Sequence, residues 1–170
     1  MQIHFTLSCR SRNYRIERQN LLSFCQAAFA ASRLGGKTPG AEFLEIPIVL
    51  MGDEPMAKFN WKHLRHEGPT DVITFDYLAD WMPGMDDEQE PFVPGEIYIS
   101  LDTAAREAAA RARSLSDELL LYIVHGLLHL KGYDDHDPAD RRAMRAAERR
   151  SLASIRKHCG ETPLLCEKLT

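Results

Sequence analysis

The chain has 170 residues, 44% of them hydrophobic and 27% charged, and a formal net charge of −4. This suits one globular domain, residues 1–170, with a sizeable core, and the acidic balance excludes a uniformly basic nucleic-acid coat. No apolar run approaches the roughly 20 residues of a membrane span, and the N-terminal MQIHFTLSCRSRNYR lacks the ordered features of a secretion signal, so a cytoplasmic protein is expected.

In chain order, residues 2–8 (QIHFTLS) alternate as a strand does. Leu21, Leu22, Phe24, Cys25, Ala28, Phe29 and Leu34 then recur at helical spacing up to Gly35-Gly36. FLEIPIVLM (43–51) predicts a second strand, and Asp53 with Pro55 opens a helix through about His66. DVITFDY (71–77) and GEIYISL (95–101) are rich in branched and aromatic residues and predict two more strands. Between them, residues 78–93 hold Trp81, Met82, Met85 and Phe92 among acids. They read as a surface loop covering a core edge, with a substrate lid as the alternative. An Ala-rich helix (102–113), a helix from Ser116 to Gly132 and an Arg-rich helix (about 138–158) complete the chain. The expectation is an α+β fold: a small mixed sheet packed on helices, one of them central and buried.

That central helix, SDELLLYIVHGLLHLKG, carries the most telling pattern. His125 and His129 stand i, i+4, so both rings leave one face and can grip one cation. A lone imidazole in an apolar helix is usually a satisfied core residue. Two of them among Leu119, Leu120, Ile123, Val124, Leu127 and Leu128 would each cost about 1–3 kcal/mol if left unpaired. A shared metal satisfies both. Gly132 suits the left-handed end of the helix, and the reversal beyond it can bring Asp135 or His136 alongside as a third ligand, leaving the open fourth position of a catalytic zinc. Position 126 is Gly, where H-E-x-x-H metalloproteases carry their general base, which disfavours a peptidase. The four cysteines form no Cys-x-x-Cys pair and read as reduced thiols.

Charge is unevenly placed. Residues 76–96 carry seven acids and no Lys or Arg, whereas residues 141–157 carry seven basic residues against Glu148 alone. Most such runs are solvated helix faces, but a basic helix directly after a metal motif can also hold phosphates.

The run His125-Gly-Leu-Leu-His129-Leu-Lys-Gly132-Tyr133-Asp134-Asp135 resembles the signature of the YbeY family of rRNA-maturation endoribonucleases, H-G-x-L-H-L-x-G-Y-D-H. Asn60 followed by Pro69-Thr70-Asp71-Val72-Ile73-Thr74-Phe75 resembles that family's N-x9-T-D-V-L-S-F segment, Gly95-Glu96-Ile97 its G-D-I strand, and Met144 falls on its helix methionine. The resemblance implies a zincin-like domain with one Zn2+ per chain: a cytoplasmic, single-strand-specific endoribonuclease of small-subunit rRNA 3′-end maturation and ribosome quality control. Single-stranded RNA, small-subunit rRNA and ribosomal proteins are the implied partners, with neither membrane nor DNA. Two positions depart from the pattern. Asp135 stands where the family has its third histidine, with His136 one residue later; the register to Met144 favours Asp135, and His136 is the alternative. Leu64 occupies the place of an arginine that some members use on RNA, with Arg65 adjacent. Asp134 is a candidate for orienting a histidine, and Arg65, Arg141 and Arg142 are candidates for neutralising phosphate. The catalytic base is unassigned. The competing readings are a ribosome-associated binding factor with a structural metal and a metal-dependent hydrolase of another substrate.

Overall fold

The computed structural model describes residues 2–36, 43–78 and 91–169. The expected surface loop, or lid, at 78–93 therefore falls, for residues 79–90, outside the described residues.

Strands β1 (Gln2–Cys9), β3 (Phe43–Met51) and β5 (Gly95–Ser100) run parallel, and β4 (Val72–Asp76) pairs antiparallel with β5 at the edge, giving the order β1-β3-β5-β4. A second pairing joins β2 (Tyr14–Ile16) antiparallel to β6 (Cys166–Lys168). These three-residue strands carry too short a pattern to be foreseen. They exist because two ends of the chain meet.

The helices are α1 (Arg18–Ser32), α2 (Asp53–Leu64), α3 (Leu101–Ala110), α4 (Leu115–Leu130) and α5 (Pro138–Cys159). Together with the sheet they make a single-domain, mixed-sheet α+β fold, as the sequence led us to expect. Alternation along the strands divides the core in two. Phe5, Leu7, Ile48, Leu50, Ile97 and Ile99 join the main cluster with α1 and α4, while Val49, Met51, Ile73 and Tyr98 meet Met56 and Phe59 of α2 on the other side. Helix α4 lies in the middle of the main cluster, with Leu119, Ile123, Val124 and Leu127 fully buried. Among the described residues no helix is long and apolar enough to cross a membrane.

The end of α1 and the start of α4 differ from expectation for local reasons. Helix α1 stops at Ser32, because Arg33 turns left-handed (φ 57°) and residues 34–36 form a 3-10 turn, so Gly35-Gly36 follows the end and does not make it. Helix α4 is capped by Ser114, whose Oγ accepts from Asp117 N at 3.0 Å. Ser116, the expected cap, is buried, and its Oγ accepts from Leu165 N at 2.9 Å.

The starts of α2 and α3 lock each other. Asp102 accepts from the backbone N of Asp53 at 2.9 Å and from the Tyr14 hydroxyl at 2.8 Å, while Asp53 accepts from Ser100 (2.7 Å), Thr103 (2.9 Å) and Arg106. Burial works to raise the Asp53 pKa, but the hydrogen bonds from Arg106, Ser100 and Thr103 outweigh it and hold it below the usual 3.8. A carboxyl whose folded pKa is depressed contributes stability that is present above its unfolded pKa and disappears as pH falls through the folded value. Asp53→Asn is therefore expected to flatten the loss of stability below about pH 4, read as denaturation midpoint against pH. Parallel wild-type and variant curves would remove Asp53 from the acid response.

Candidate metal centre and its cleft

Helix α4 brings His125 and His129 to one face, and Gly132 (φ 94°) ends it, with Gly132 N donating to His129 O at 2.7 Å and Tyr133 N to Leu128 O at 3.0 Å. The chain then folds back as far as Asp137, which caps α5 by accepting from Ala139 N (2.7 Å) and Asp140 N (2.9 Å) ahead of Pro138 at the first turn. This short return sets Asp135 Oδ2 3.8 Å from His125 Nε2. One donor atom each of His125, His129 and Asp135 lies within 4.8 Å of the others, and all three residues are partly buried.

The tautomers follow from the partners. His129 Nδ1 meets the Tyr133 carbonyl oxygen at 3.0 Å, which can only accept, and His125 Nδ1 meets Glu148 Oε1 at 2.8 Å. Both Nδ1 atoms therefore donate outward. The two Nε2 atoms turn toward each other and stand 2.9 Å apart. With the Asp135 carboxylate beside them, these two nitrogens offer ligands to one cation. The donor set of two imidazoles and one carboxylate thus fits a divalent metal, with the outward hydrogen bonds that orient metal-binding histidines. Burial works to lower the His125 pKa, but the hydrogen bond and charge of Glu148, with Asp135 and Asp71 beyond, shift it above its ordinary value. His129 goes the other way, lowered by burial and by neighbouring His125.

Glu148 is the partner that sequence reasoning missed. It is the lone acid in the basic stretch 141–157 and stands one turn after buried Met144, which was the available signal. Its removal in Glu148→Ala is expected to weaken metal binding by about 10–100-fold, measured by competition with a chromophoric chelator. An unaltered affinity would reduce Glu148 to a bystander.

The metal face opens on a cleft of about 740 Å³ between α3, α4, α5 and the segment Pro69–Asp71. Thr70 and Asp71 form its rim. There Asp71 accepts from Thr70 Oγ1 (3.0 Å) and Val72 N (2.9 Å), and buried Asn60 donates to Gly68 O at 2.9 Å to hold the approach. Arg141, Arg145 and Arg149 line the cleft at successive i+4 positions of α5. Among the described residues none of the three has an ion pair; Arg141 Nη1 donates to the backbone O of His136 at 2.7 Å and of Asp135 at 3.2 Å, tying down the return loop. Arg106, Arg111 and Arg113 of the opposite wall also line the cleft, unforeseen from sequence, though all three lie near carboxylates: Asp53, Glu107 and Glu118.

Several sequence candidates lie elsewhere. Arg142, about 100° round the helix from Arg141, is exposed and not among the lining residues. Arg65 caps α2 in the left-handed region (φ 59°), also outside the cleft. The His136 ring is 88% exposed and faces Asp134 at 3.6 Å, while Asp134 Oδ1 accepts from Asp135 N at 2.7 Å. Asp134, Asp135 and His136 form a second, more exposed acid-imidazole group on the same loop. Gly126, where a metalloprotease glutamate would stand, has a packing reason: a Cβ there would come within 2.9 Å of Ile97 Cδ1 and Cγ2.

Known proteins resemble this chain in sequence and in fold. The chain is 38% identical over 125 residues to an endoribonuclease YbeY of Rhodopirellula baltica, spanning 72% of this chain and 58% of that protein. It is 36% identical over 119 residues to an endoribonuclease YbeY of Thermobifida fusca, covering 69% of this chain and 76% of that one. A Thermotoga maritima protein solved in solution shares the fold at a TM-score of 0.58 and 18% identity, over 92% of this chain and 91% of its own. The sequence profile described as Endoribonuclease YbeY matches residues 6–156, nearly all of the strands and helices that build the cleft, and the chain belongs to the YbeY endoribonuclease family.

Proposed function

We propose that residues 1–170 form one metal-dependent hydrolase domain, a zinc-dependent endoribonuclease specific for single-stranded RNA. It acts in the cytoplasm, in 3′-end maturation of small-subunit rRNA and in ribosome quality control, with ribosomal proteins as neighbours and no role for membrane or DNA. The observation that carries the chemistry is the grouping of His125, His129 and Asp135, with the two Nε2 atoms 2.9 Å apart, at an Arg-lined cleft in a chain of this family. His125, His129 and Asp135 would hold one zinc ion in a zincin-like setting. The exposed ring of His136, turned to Asp134, favours Asp135 as the third ligand. Zinc so held supplies Lewis acidity toward a phosphodiester oxygen and lowers the pKa of water within its reach.

The chain's own residues do the rest. Glu148 and the Tyr133 carbonyl fix both imidazole tautomers and orientations. Arg145 and Arg149 offer guanidinium forks to phosphate oxygens, and Arg141 keeps the Asp135 loop in place. Cleavage assays with metal-quantified protein are expected to show single-stranded RNA cut, duplex RNA spared, and cutting abolished by a chelator while the circular dichroism spectrum is retained. Chelation that unfolds the chain, with no cleavage under any condition, would favour a binding factor with a structural metal. Turnover of peptides in place of RNA would move the substrate class.

A further inference from the structure

On the far side of α5 from the metal lies a second concavity, of about 810 Å³, between α1, α5 and the end of α4. Its floor is small: Ala27, Ala30 and Ala31 face Ala147 and Ser151. Its charged lining is of one sign. Arg33, Lys131 and Arg150 contribute to it, and no Asp or Glu is among the described residues that do. The metal cleft, by contrast, mixes its arginines with Asp71, Glu107, Glu118, Asp135 and Glu148.

Three features make this groove suited to a polyanion. Lys131 Nζ donates to Ser32 O (2.8 Å) and Arg33 O (3.0 Å), covering the negative end of α1 that would otherwise repel a phosphate. Arg33 and Arg150 are both exposed, and among the described residues neither has an ion pair. Finally, the two concavities share α5: Arg149 lines the cleft and Arg150, next in sequence and about 100° round the helix, lines the groove. One strand passing over the crest of α5 meets both.

We propose that the α1/α5 groove is a second track for the phosphate backbone of single-stranded RNA, holding the part of the strand that extends beyond the metal cleft. The assignment rests on the RNA reading above, and its consequence is a dependence on substrate length. A short strand fits the cleft alone. A longer one also engages Arg33 and Arg150, each phosphate contact steepening the salt dependence of binding.

The test compares binding of single-stranded oligoribonucleotides of about 4 and about 16 nucleotides to the wild-type chain and to Arg33→Asn/Arg150→Ala, over a series of salt concentrations. Asn is chosen at position 33 because it tolerates the left-handed backbone there. The long RNA is expected to lose up to about 1.4 in log–log salt slope, about 0.7 for each lost contact, with the short RNA unchanged. Arg150→Glu alone, which leaves position 33 intact, is expected to weaken the long RNA selectively as well. Equal slopes for wild type and both variants on the long RNA would overturn the groove assignment while leaving the cleft reading in place. Failure of the wild-type chain to bind either oligonucleotide would overturn the RNA reading and the groove with it. Binding of a polyglutamate peptide that the variants lose, with long-RNA binding intact, would reassign the groove to an acidic protein partner.

Discussion

Replacing His125 and His129 together with Ala is expected to take bound metal from one ion per chain to none and to leave RNA cleavage at background. Neither variant ring can be replaced by a neighbour, since the remaining imidazole on this loop, His136, is 88% exposed and turned to Asp134. The fold should survive, because both histidines are only partly buried and the residues that pack α4 remain. The same elemental analysis distinguishes the third ligand. Asp135→Ala is expected to lose most of the metal and His136→Ala to keep it. Full metal content in the double histidine variant would end the assignment of this site, and the opposite ranking of the two loop variants would transfer the third ligand to His136. Cleavage that persists without metal would separate the nuclease from the centre altogether.

The largest effect on stability is expected at a glycine outside the proposed ligand set. A Cβ on Gly95, at the start of β5, would overlap both the backbone oxygen of Phe75 and Cδ2 of Leu130. The leucine end can move, but the carbonyl belongs to β4, whose Asp76 pairs with Gly95 itself. Relief therefore means opening the edge of the sheet or pushing it off the end of α4. Gly95→Ala should cost at least about 3 kcal/mol, a large part of the roughly 5–15 kcal/mol that holds a domain together. Gly126→Ala meets the branches of Ile97, at 2.9 Å, and should cost less, about 1–3 kcal/mol, because a side chain can yield where a backbone cannot. Chemical denaturation of the two variants measures both. A Gly95→Ala chain as stable as wild type would show that β4 shifts freely at this edge. Because Gly126 adjoins His125, its variant is also expected to bind metal less tightly.

What the sequence determined by itself is what depends on neighbours along the chain. The i, i+4 spacing of His125 and His129, the apolar run around them and Gly132 at the helix end are local, and the helix formed over nearly the expected residues. The alternating and branched runs gave four strands for the same reason, since a period of two needs only a few residues to be read. Family membership was legible too, in the ordered motifs from Asn60 to Met144. Tertiary structure alone decided what meets across long separations. Glu148 reaches His125 from another helix, Tyr14–Ile16 finds Cys166–Lys168 at the far end of the chain, and the wall of Arg106, Arg111 and Arg113 faces the α5 arginines only once α3 packs beside α4. It also sorted the arginines of α5 into two grooves and set Arg142 aside, because adjacent helical residues point about 100° apart and only the packed neighbours of a helix give each direction something to face.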